Sequence, residues 1–270
     1  MTESIAHNKI KAVIFDLDDT LVSEYEFIVS GYKFISKRLS DRLGRNPDEI
    51  NDKLWDLTKE AYSNMFNRLF DCYGEPYTDG EMQEIIFAYR NHPAKLQFYP
   101  DVKETLFALK KRGILMGIIS DGDPARQRNK IRSAVGGLKN GDNSAKPMHS
   151  LHNSTNVEIT TDASDEEIKY WFNEIILNDE FGGEEYRKPN PKGFAEIAKR
   201  LRADPSEMIY IGDNPAKDFH IAKDMPVRTA RIIREHGIYN DRGYLDGIRE
   251  TWRLDGLVDI IRIIDEANKA

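Results

Sequence analysis

The chain has 270 residues, of which 40% are hydrophobic and 31% charged, a composition typical of a globular protein with a sizeable core. Its formal net charge of -7 gives no general attraction to nucleic acids or anionic membranes, so we expect neither as a partner. The single cysteine, Cys72, excludes an internal disulfide. We expect it to be a small buried side chain in a reducing compartment.

The N-terminal sequence MTESIAHNKIKAVIF has no basic start followed by a long apolar run, so it does not read as a signal peptide. No segment approaches the roughly 20 apolar residues that a membrane-spanning helix needs. We therefore expect a cytoplasmic protein. For its oligomeric state, we expect either a monomer or a homodimer.

Short apolar runs rich in β-branched residues predict the strands of the core. They are KAVIF (11–15), ILMGIIS (114–120), NEIIL (173–177), MIYIG (208–212) and VRTARI (227–232). Near-continuous apolar strands are typical of a parallel sheet that is covered by helices on both faces. Helical patterns at 100–112, 191–201 and 255–270 alternate with these runs. The alternation predicts an α/β fold with a Rossmann-like parallel sheet.

Residues 23–95 interrupt this alternation and contain no convincing strand. Their pattern predicts helices at about 24–43, 47–72 and 79–91, with many aromatic residues that we expect to pack between them. We predict an inserted α-helical cap over 23–95, and a catalytic core formed by 1–22 and 96–270. An insertion directly after the first strand would lie over the carboxyl end of that strand, where a few of its aromatic residues would line a substrate pocket.

A second interruption, residues 136–167, is polar and rich in Gly, Asn and Ser. It predicts a long loop excursion within the core. His149 and His152 lie in it, but no cysteine or spaced carboxylate set accompanies them, so we do not expect a metal site there. Ser164 and Glu167 have the spacing of a capping box and predict the start of a helix.

Polar residues follow the predicted strands at the edge where open parallel sheets bind ligands. Asp16, Asp18 and Asp19 follow the first strand. Further candidates at other strand ends or adjoining loops are Ser120, Asp121, Lys188, Asp213 and Asp218. Clustered carboxylates without cysteine or paired histidine suit a hard cation, and Mg²⁺ is the natural choice. Ser120 and Lys188 offer hydrogen bonds and positive charge suited to a phosphate, which a neighbouring aspartate can attack.

Four ordered motifs resemble those of the haloacid dehalogenase superfamily, in its phosphatase branch. They are DLDDTLV from residue 16, ISDGD from 119, RKPNP from 187 and GDNPAKD from 212. The resemblance covers about 11–23 and 96–235. The insert at 23–95 has the position of the superfamily's first-type (C1) cap but carries no family signature of its own.

The resemblance implies roles for the carboxylates. Asp16 would be the nucleophile and a Mg²⁺ ligand. Asp18 would be the general acid and then the general base, and its backbone carbonyl would bind Mg²⁺. Asp213 would complete the protein ligands of the metal, and Asp218 would support the metal's waters or orient Lys188.

The resemblance also implies a phosphate-binding group. Ser120 would hold the transferring phosphoryl group, and Lys188 would offset the charge on the nucleophile and the phosphate. Asp121 would belong to this group, although it could equally be a turn residue. Dehalogenases of the superfamily lack the carboxylate at the position of Asp18, so dehalogenation is not expected.

The sequence therefore predicts a Mg²⁺-dependent phosphomonoesterase of small phosphorylated metabolites that works through an aspartyl-phosphate. One alternative is a phosphosugar mutase of the same superfamily, which would return the phosphoryl group to a sugar. Another is a regulatory or interaction protein that retains the fold and uses the 136–167 excursion to bind a partner.

Overall fold

The structure is a computed structural model in which residues 8–61, 63–138 and 162–269 are described. The chain divides into two compact units, which are considered separately. The first comprises Met1–Tyr25 and Leu96–Ala270, and the second comprises Glu26–Lys95. Most of the predicted polar excursion lies outside the described residues, and His149 and His152 lie there with it.

Parallel strands form a six-stranded sheet in the first unit. They are β1 (Ala12–Phe15), β2 (Leu115–Ser120), β3 (Glu174–Leu177), β4 (Met208–Gly212), β5 (Arg228–Ile232) and β6 (Trp252–Leu254). Their order across the sheet is β3-β2-β1-β4-β5-β6. The predicted α/β fold with a Rossmann-like parallel sheet is therefore confirmed.

Strand β1 lies inside the sheet and is paired on both sides. Ala12 is in register with Leu115 of β2 and with Met208 of β4. All residues of β1 are buried, which explains why its sequence, AVIF, is apolar without alternation. Strand β6 was not predicted, because an edge strand of 3 residues offers too short a pattern.

The helices in the described residues largely follow the predicted segments. They are α1 (Glu24–Leu43), α2 (Pro47–Glu60), α3 (Met65–Tyr73), α4 (Asp79–Arg90), α5 (Pro100–Lys111), α6 (Pro124–Gly137), α7 (Asp165–Trp171), α8 (Lys192–Leu201), α9 (Ile221–Asp224) and α10 (Asp259–Ala267). Helix α6 was not among the predictions. Asp123 precedes it and accepts a hydrogen bond from the backbone N–H of Arg126 at 2.8 Å, while Pro124 occupies its first turn.

The described ends of the predicted polar excursion are helical rather than loop. Helix α6 continues to Gly137, and α7 begins at Asp165. The capping box predicted from Ser164 and Glu167 is present at the start of α7. The connection between α6 and α7 is therefore shorter at both ends than the range 136–167 that its polar composition predicted.

One face of α8 packs on the sheet. The ring of Phe194 meets Tyr210 of β4 edge-on, with ring centroids 4.8 Å apart, and Ile197 is fully buried in the same cluster. This packing fixes α8 at its start. The preceding loop, which carries Lys188, is fixed with it.

In the second unit, the single helix predicted over 47–72 is two helices, α2 and α3. The chain leaves helical geometry at Ala61, whose φ of -164° and ψ of 149° are extended. Asn64 follows with a φ of 50°, in the left-handed region that asparagine tolerates better than most residues. The predicted helix was therefore too long, because its apolar period continues across the break.

Cys72 is exposed, so the expectation that it is buried was wrong. The buried residues of α3 are Met65, Phe66, Leu69 and Phe70, and Cys72 lies beyond them at the end of the helix. Aromatic residues do pack between helices of this unit, as Tyr32 and Trp55 show with ring centroids 5.1 Å apart.

None of the described helices has both the length and the apolar character needed to cross a bilayer.

Candidate active site

Polar side chains gather at the carboxyl ends of three neighbouring strands. Asp16 follows β1, Ser120 ends β2, and Asp213 follows β4. The backbone N–H of Asp16 donates to the carbonyl oxygen of Ile211 at 2.8 Å, which extends the β1–β4 pairing to the site. These three side chains belong to residues that are only 1–3% exposed. The parallel sheet thus brings together residues that are far apart in the sequence.

Lys188 reaches this cluster from the loop before α8. Its Nζ lies 2.7 Å from Oδ1 of Asp16 and 3.0 Å from Oδ1 of Asp218. It donates to the hydroxyl oxygen of Tyr210 at 2.7 Å, and that hydroxyl donates to Asp218 at 3.1 Å. Because the Lys188 side chain is 0% exposed, its charge is balanced by carboxylates rather than by water.

Asp218 approaches the backbone at the end of β4. A Cβ atom at Gly212 would lie 2.5 Å from Oδ2 of Asp218 and 2.7 Å from its Cγ. The backbone N–H of Asn214 donates to the same Oδ2 at 2.9 Å. Glycine at position 212 therefore leaves the space that the Asp218 carboxylate occupies.

Asp16, Asp213 and Asp218 form a buried group of carboxylates that could hold a metal ion. One oxygen from each lies within 4.8 Å of the others. Oδ2 of Asp213 is buried and has no hydrogen-bond partner among the described residues. A buried, unpaired carboxylate oxygen is costly, and a cation with oxygen ligands would satisfy it.

The pKa values of these carboxylates also favour a bound cation. Burial raises the pKa of Asp16 to about 6, although the ammonium of Lys188 opposes the rise. Burial, together with the charges of Asp218 and Asp16, raises the pKa of Asp213 well above its usual value. Burial would lower the pKa of Lys188, but Asp16 and Asp218 raise it overall, so this lysine stays charged. The protein's own positive charge does not fully balance the carboxylates.

Asp18 lies two residues after Asp16 in the segment that follows β1, but its carboxylate contacts different residues. Oδ1 accepts a hydrogen bond from Nζ of Lys130 at 2.7 Å, and Oδ2 accepts one from Nε2 of Gln127 at 2.8 Å. Burial alone would raise the pKa of Asp18, but Lys130, with help from Arg126 and Gln127, lowers it to about 2. Asp18 is therefore ionised in this arrangement. Its side chain does not belong to the three-carboxylate cluster.

Ser120 and Asp18 are joined through one side chain. Nε2 of Gln127, which donates to Asp18, also donates to Oγ of Ser120 at 2.7 Å. The predicted phosphate-binding hydroxyl and the predicted acid–base residue therefore share an amide from α6.

Asp121 faces protein donors on both of its carboxylate oxygens. Oδ1 accepts from Nδ2 of Asn178 at 2.8 Å and from the backbone N–H of Lys188 at 3.1 Å, while Oδ2 lies 2.8 Å from Nζ of Lys217. Burial would raise the pKa of Asp121, but Lys188 and Lys217 lower it below its usual range. The carboxylate thus orients a second lysine and the loop of Lys188, and phosphate binding by Asp121 stays a prediction.

Asp19 lies in the turn after β1 with a φ of 51°. Its carboxylate accepts hydrogen bonds from the backbone N–H groups of Glu24 and Ile238, each at 2.9 Å. These bonds give Asp19 a structural role in the turn.

Five residues around the site were not singled out from the sequence: Glu24, Gln127, Lys130, Tyr210 and Lys217. Lys217 lies inside GDNPAKD, so the motif itself was an available signal. Tyr210 is indistinguishable from a core aromatic residue. Gln127 and Lys130 lie in the polar sequence of α6, and polar helical residues are usually solvated, so their burial could not be predicted.

Comparison with known proteins gives related enzymes over most of the chain. A glyceraldehyde 3-phosphate phosphatase of Methanopyrus kandleri is 28% identical over 239 residues, covering 86% of this chain and 87% of the relative. Pyrophosphatase PpaX of Bacillus cereus is 24% identical over 267 residues, covering 97% of this chain and 100% of the relative. The crystal structure of a HAD phosphatase from Thermococcus onnurineus aligns with a TM-score of 0.56 at 24% identity, covering 94% of this chain and 98% of that one. This structural likeness supports the fold.

The sequence profile of the haloacid dehalogenase-like hydrolases matches residues 10–225. The matched region contains the four motifs and all the predicted site residues, so the resemblance read from the motifs is confirmed. The family is hydrolytic, and the relatives above are named phosphatases. The chain belongs to the haloacid dehalogenase-like hydrolases.

Proposed function

We propose that this hydrolase is a Mg²⁺-dependent phosphomonoesterase that acts on small phosphorylated metabolites through an aspartyl-phosphate. The observation that carries the proposal is the convergence of Asp16, Ser120, Lys188 and Asp213 at one edge of the sheet. A nucleophile, a hydroxyl donor, a cation and a carboxylate cluster suited to a metal lie together there, as phosphoryl transfer requires. The names of the relatives support the same reaction class.

The residues present fit a magnesium ion. The cluster supplies oxygen ligands without sulfur or nitrogen, and Oδ2 of Asp213 is buried without a hydrogen-bond donor among the described residues. Asp16, Asp213 and the backbone carbonyl of Asp18 would hold the ion, with Asp218 supporting its waters or orienting Lys188. When bound, the ion would neutralise the negative charge of the carboxylates and of the substrate phosphate.

In the first step, a carboxylate oxygen of Asp16 attacks phosphorus while the bond from phosphorus to the leaving alcohol breaks. Lys188 offsets the charge on the nucleophile and on the phosphoryl oxygens. Ser120 donates its hydroxyl hydrogen to one of those oxygens. Asp18, which Lys130 and Gln127 hold in its ionised form, must first take up a proton from solvent, and it then gives that proton to the departing alcohol oxygen.

In the second step, a water oxygen bonds to phosphorus and the bond between phosphorus and Asp16 breaks. The proton released by the water passes to Asp18, which recovers the proton it gave up. The ionised state of Asp18, favoured by Lys130 and Gln127, is the state that this step requires.

The test is turnover by purified protein, first with p-nitrophenyl phosphate and then with a panel of phosphometabolites, each with Mg²⁺ and with EDTA. Glyceraldehyde 3-phosphate enters the panel first, because several relatives are named for it. We expect release of inorganic phosphate that depends on Mg²⁺. Absence of turnover across the whole panel would contradict the proposal.

The two alternatives are distinct outcomes of the same panel. A phosphosugar mutase would give isomerised sugar phosphate without free phosphate. A regulatory protein would turn over no phosphoester, and the 136–167 connection would then be the segment to test for partner binding.

The proposal also covers the role of the helical unit, the oligomeric state and the cellular location of the enzyme. The helical unit Glu26–Lys95 would act as a cap that selects the substrate, because the core residues named above recognise only the phosphate. Size-exclusion chromatography with light scattering would decide between a monomer and a homodimer. A cytoplasmic location is supported by the unpaired Cys72.

A further inference from the structure

Lys130 is a buried cation that the two steps above do not use. Its side chain projects from α6 and is 1% exposed. Its Nζ lies 2.7 Å from Oδ1 of Asp18 and also contacts the carboxylate of Glu24. Burying an ammonium group is costly, and replacing a whole buried ion pair by apolar side chains is often neutral or stabilising. A buried pair is therefore weak evidence for a role in stability alone, and the presence of this lysine calls for a further explanation.

Lys130 and Gln127 together hold both carboxylate oxygens of Asp18. Gln127 lies three residues earlier on α6, on the same face of the helix, and is 0% exposed. It donates to Oδ2 at 2.8 Å, while Lys130 donates to Oδ1. The Asp18 side chain itself is 24% exposed. The two donors are buried, whereas part of the Asp18 side chain stays exposed.

Glu24 fixes Lys130 from the other side. It is the first residue of α1, and its carboxylate contacts Nζ of Lys130. Its backbone N–H donates to Asp19 at 2.9 Å, so it is also tied to the turn that carries Asp18. The contact with Glu24 thus holds the ammonium group of Lys130 beside the turn that carries Asp18.

We propose that Lys130, together with Gln127, is a positioning residue for the acid–base chemistry of Asp18. It sets the orientation from which that carboxylate serves first the leaving alcohol and then the attacking water. A reacting group that is held within a fraction of an ångström of its productive position reacts much faster than one on a freely rotating side chain. The inference rests on the function proposed above. Lys130 affects turnover only by positioning Asp18.

A double-mutant cycle on the full chain tests this action. The quantity measured is kcat with saturating p-nitrophenyl phosphate and Mg²⁺, because the good leaving group keeps turnover measurable when Asp18 is replaced. We expect Lys130→Met to lower kcat by about tenfold or more, a part of the 10²–10⁴ that proton transfer by a positioned side chain contributes. In a chain that already carries Asp18→Asn, the same substitution should change kcat by less than about twofold. A change of that size is no larger than the deviation from additivity seen between independent sites.

Arg128→Met is the matched control. It removes one positive charge from the same helix, at an ion pair with Glu180 whose two side chains are 49% and 41% exposed. It should leave kcat unchanged in both backgrounds, since exposed pairs contribute little.

The removal of Lys130 leaves Glu24 without its partner and can impair folding. If Lys130→Met gives no cooperative thermal transition, the cycle is run with Glu24→Leu and Lys130→Met combined, which keeps the net charge unchanged. Equal losses of kcat in the wild-type and Asp18→Asn backgrounds would show that Lys130 acts independently of Asp18 and would overturn the inference. An unchanged kcat in the wild-type background would overturn it as well. If the wild-type chain itself turned over no phosphoester, the proposed function would be the part that failed.

Discussion

The pairing of Asp16 with Lys188 explains how a charged carboxylate is kept at the end of a core strand. Burial raises the pKa of Asp16 to about 6, which disfavours the ionised form that the proposed nucleophilic attack needs. The ammonium of Lys188, 2.7 Å away, lowers the pKa and opposes that effect. A cation held by the neighbouring carboxylates would add to this stabilisation of the ionised form.

Replacement of Asp16 by Asn is expected to lower turnover by about 10⁴-fold or more, because an amide is a far weaker nucleophile than a carboxylate. The fold should persist, since asparagine has nearly the same shape and removes a charge from a crowded site. Steady-state kinetics with p-nitrophenyl phosphate, alongside thermal melting, measure the two effects. Asp265→Asn, at a half-buried position on α10, provides the matched control. Turnover close to wild type in Asp16→Asn would show that the nucleophile is another residue.

Asp213 gives a prediction about metal binding that does not depend on activity. Its pKa is raised, so its ionised form is less favourable in the metal-free folded chain than in the unfolded chain at neutral pH. Asp213→Asn should therefore raise the melting temperature without metal by a few degrees, roughly the shift that about 1 kcal/mol produces.

The same substitution should reduce stabilisation by Mg²⁺, because it removes the buried oxygen that lacks a hydrogen-bond partner among the described residues. For the wild type, Mg²⁺ at about 100 times its Kd should add about 2.7 kcal/mol of stability. Thermal melting with EDTA and with increasing Mg²⁺ measures both changes. An equal Mg²⁺-dependent shift in wild type and variant would exclude Asp213 as a ligand.

At the scale of elements, the site depends on how β4 continues into the segment that carries Asp213 and Asp218. The β4 strand ends at Gly212, where a Cβ atom would lie 2.5 Å from Oδ2 of Asp218. The space left by glycine allows Asp218 to bond both to the Asn214 backbone and to Lys188.

Gly212→Ala is expected to displace Asp218 and with it Lys188. Displacement of catalytic groups by about 1 Å can cost about 10²-fold, so we expect a loss of kcat/KM of that order. The accompanying cost in stability should be about 1–3 kcal/mol, as for other overpacked positions. Gly243→Ala is the control, because a Cβ atom there has no neighbour within 4 Å among the described residues. A kcat/KM for Gly212→Ala within twofold of the control would contradict this account.

The elements also show what the sequence could and could not predict. Asp16, Ser120 and Asp213 follow continuous apolar runs, so their convergence follows from the rule that parallel strands end at one edge. Lys188 was predicted because it lies in a recognisable motif before α8. Lys130 and Gln127 were missed because α6 is polar in sequence, and its burial depends on tertiary packing that no local pattern records. The break between α2 and α3 was missed for a similar reason, since the apolar period continues across it.

At the scale of the whole molecule, the chain leaves and re-enters the first unit at neighbouring positions. Val22 forms an antiparallel bridge with Phe98, and the backbone N–H of Tyr99 donates to the carbonyl oxygen of Leu21 at 3.0 Å. Leu96 is held where the chain returns, through its backbone N–H, by Oγ of Ser133 at 2.9 Å. The residues proposed for phosphate and metal binding all belong to this unit.

Replacement of residues 26–95 by a short Gly-Ser linker should therefore leave a first unit that folds and hydrolyses p-nitrophenyl phosphate. We expect its preference among phosphometabolites to be lost, because binding energy from the non-reacting part of a substrate sets the relative kcat/KM values. The measurements are a cooperative thermal melt, kcat/KM for p-nitrophenyl phosphate, and the ratio of kcat/KM between the best and the median metabolite of the panel. A folded first unit that keeps the wild-type ratio would show that the core selects the substrate. A folded unit that binds Mg²⁺ but lacks turnover would show that Glu26–Lys95 contributes a group to the chemistry itself.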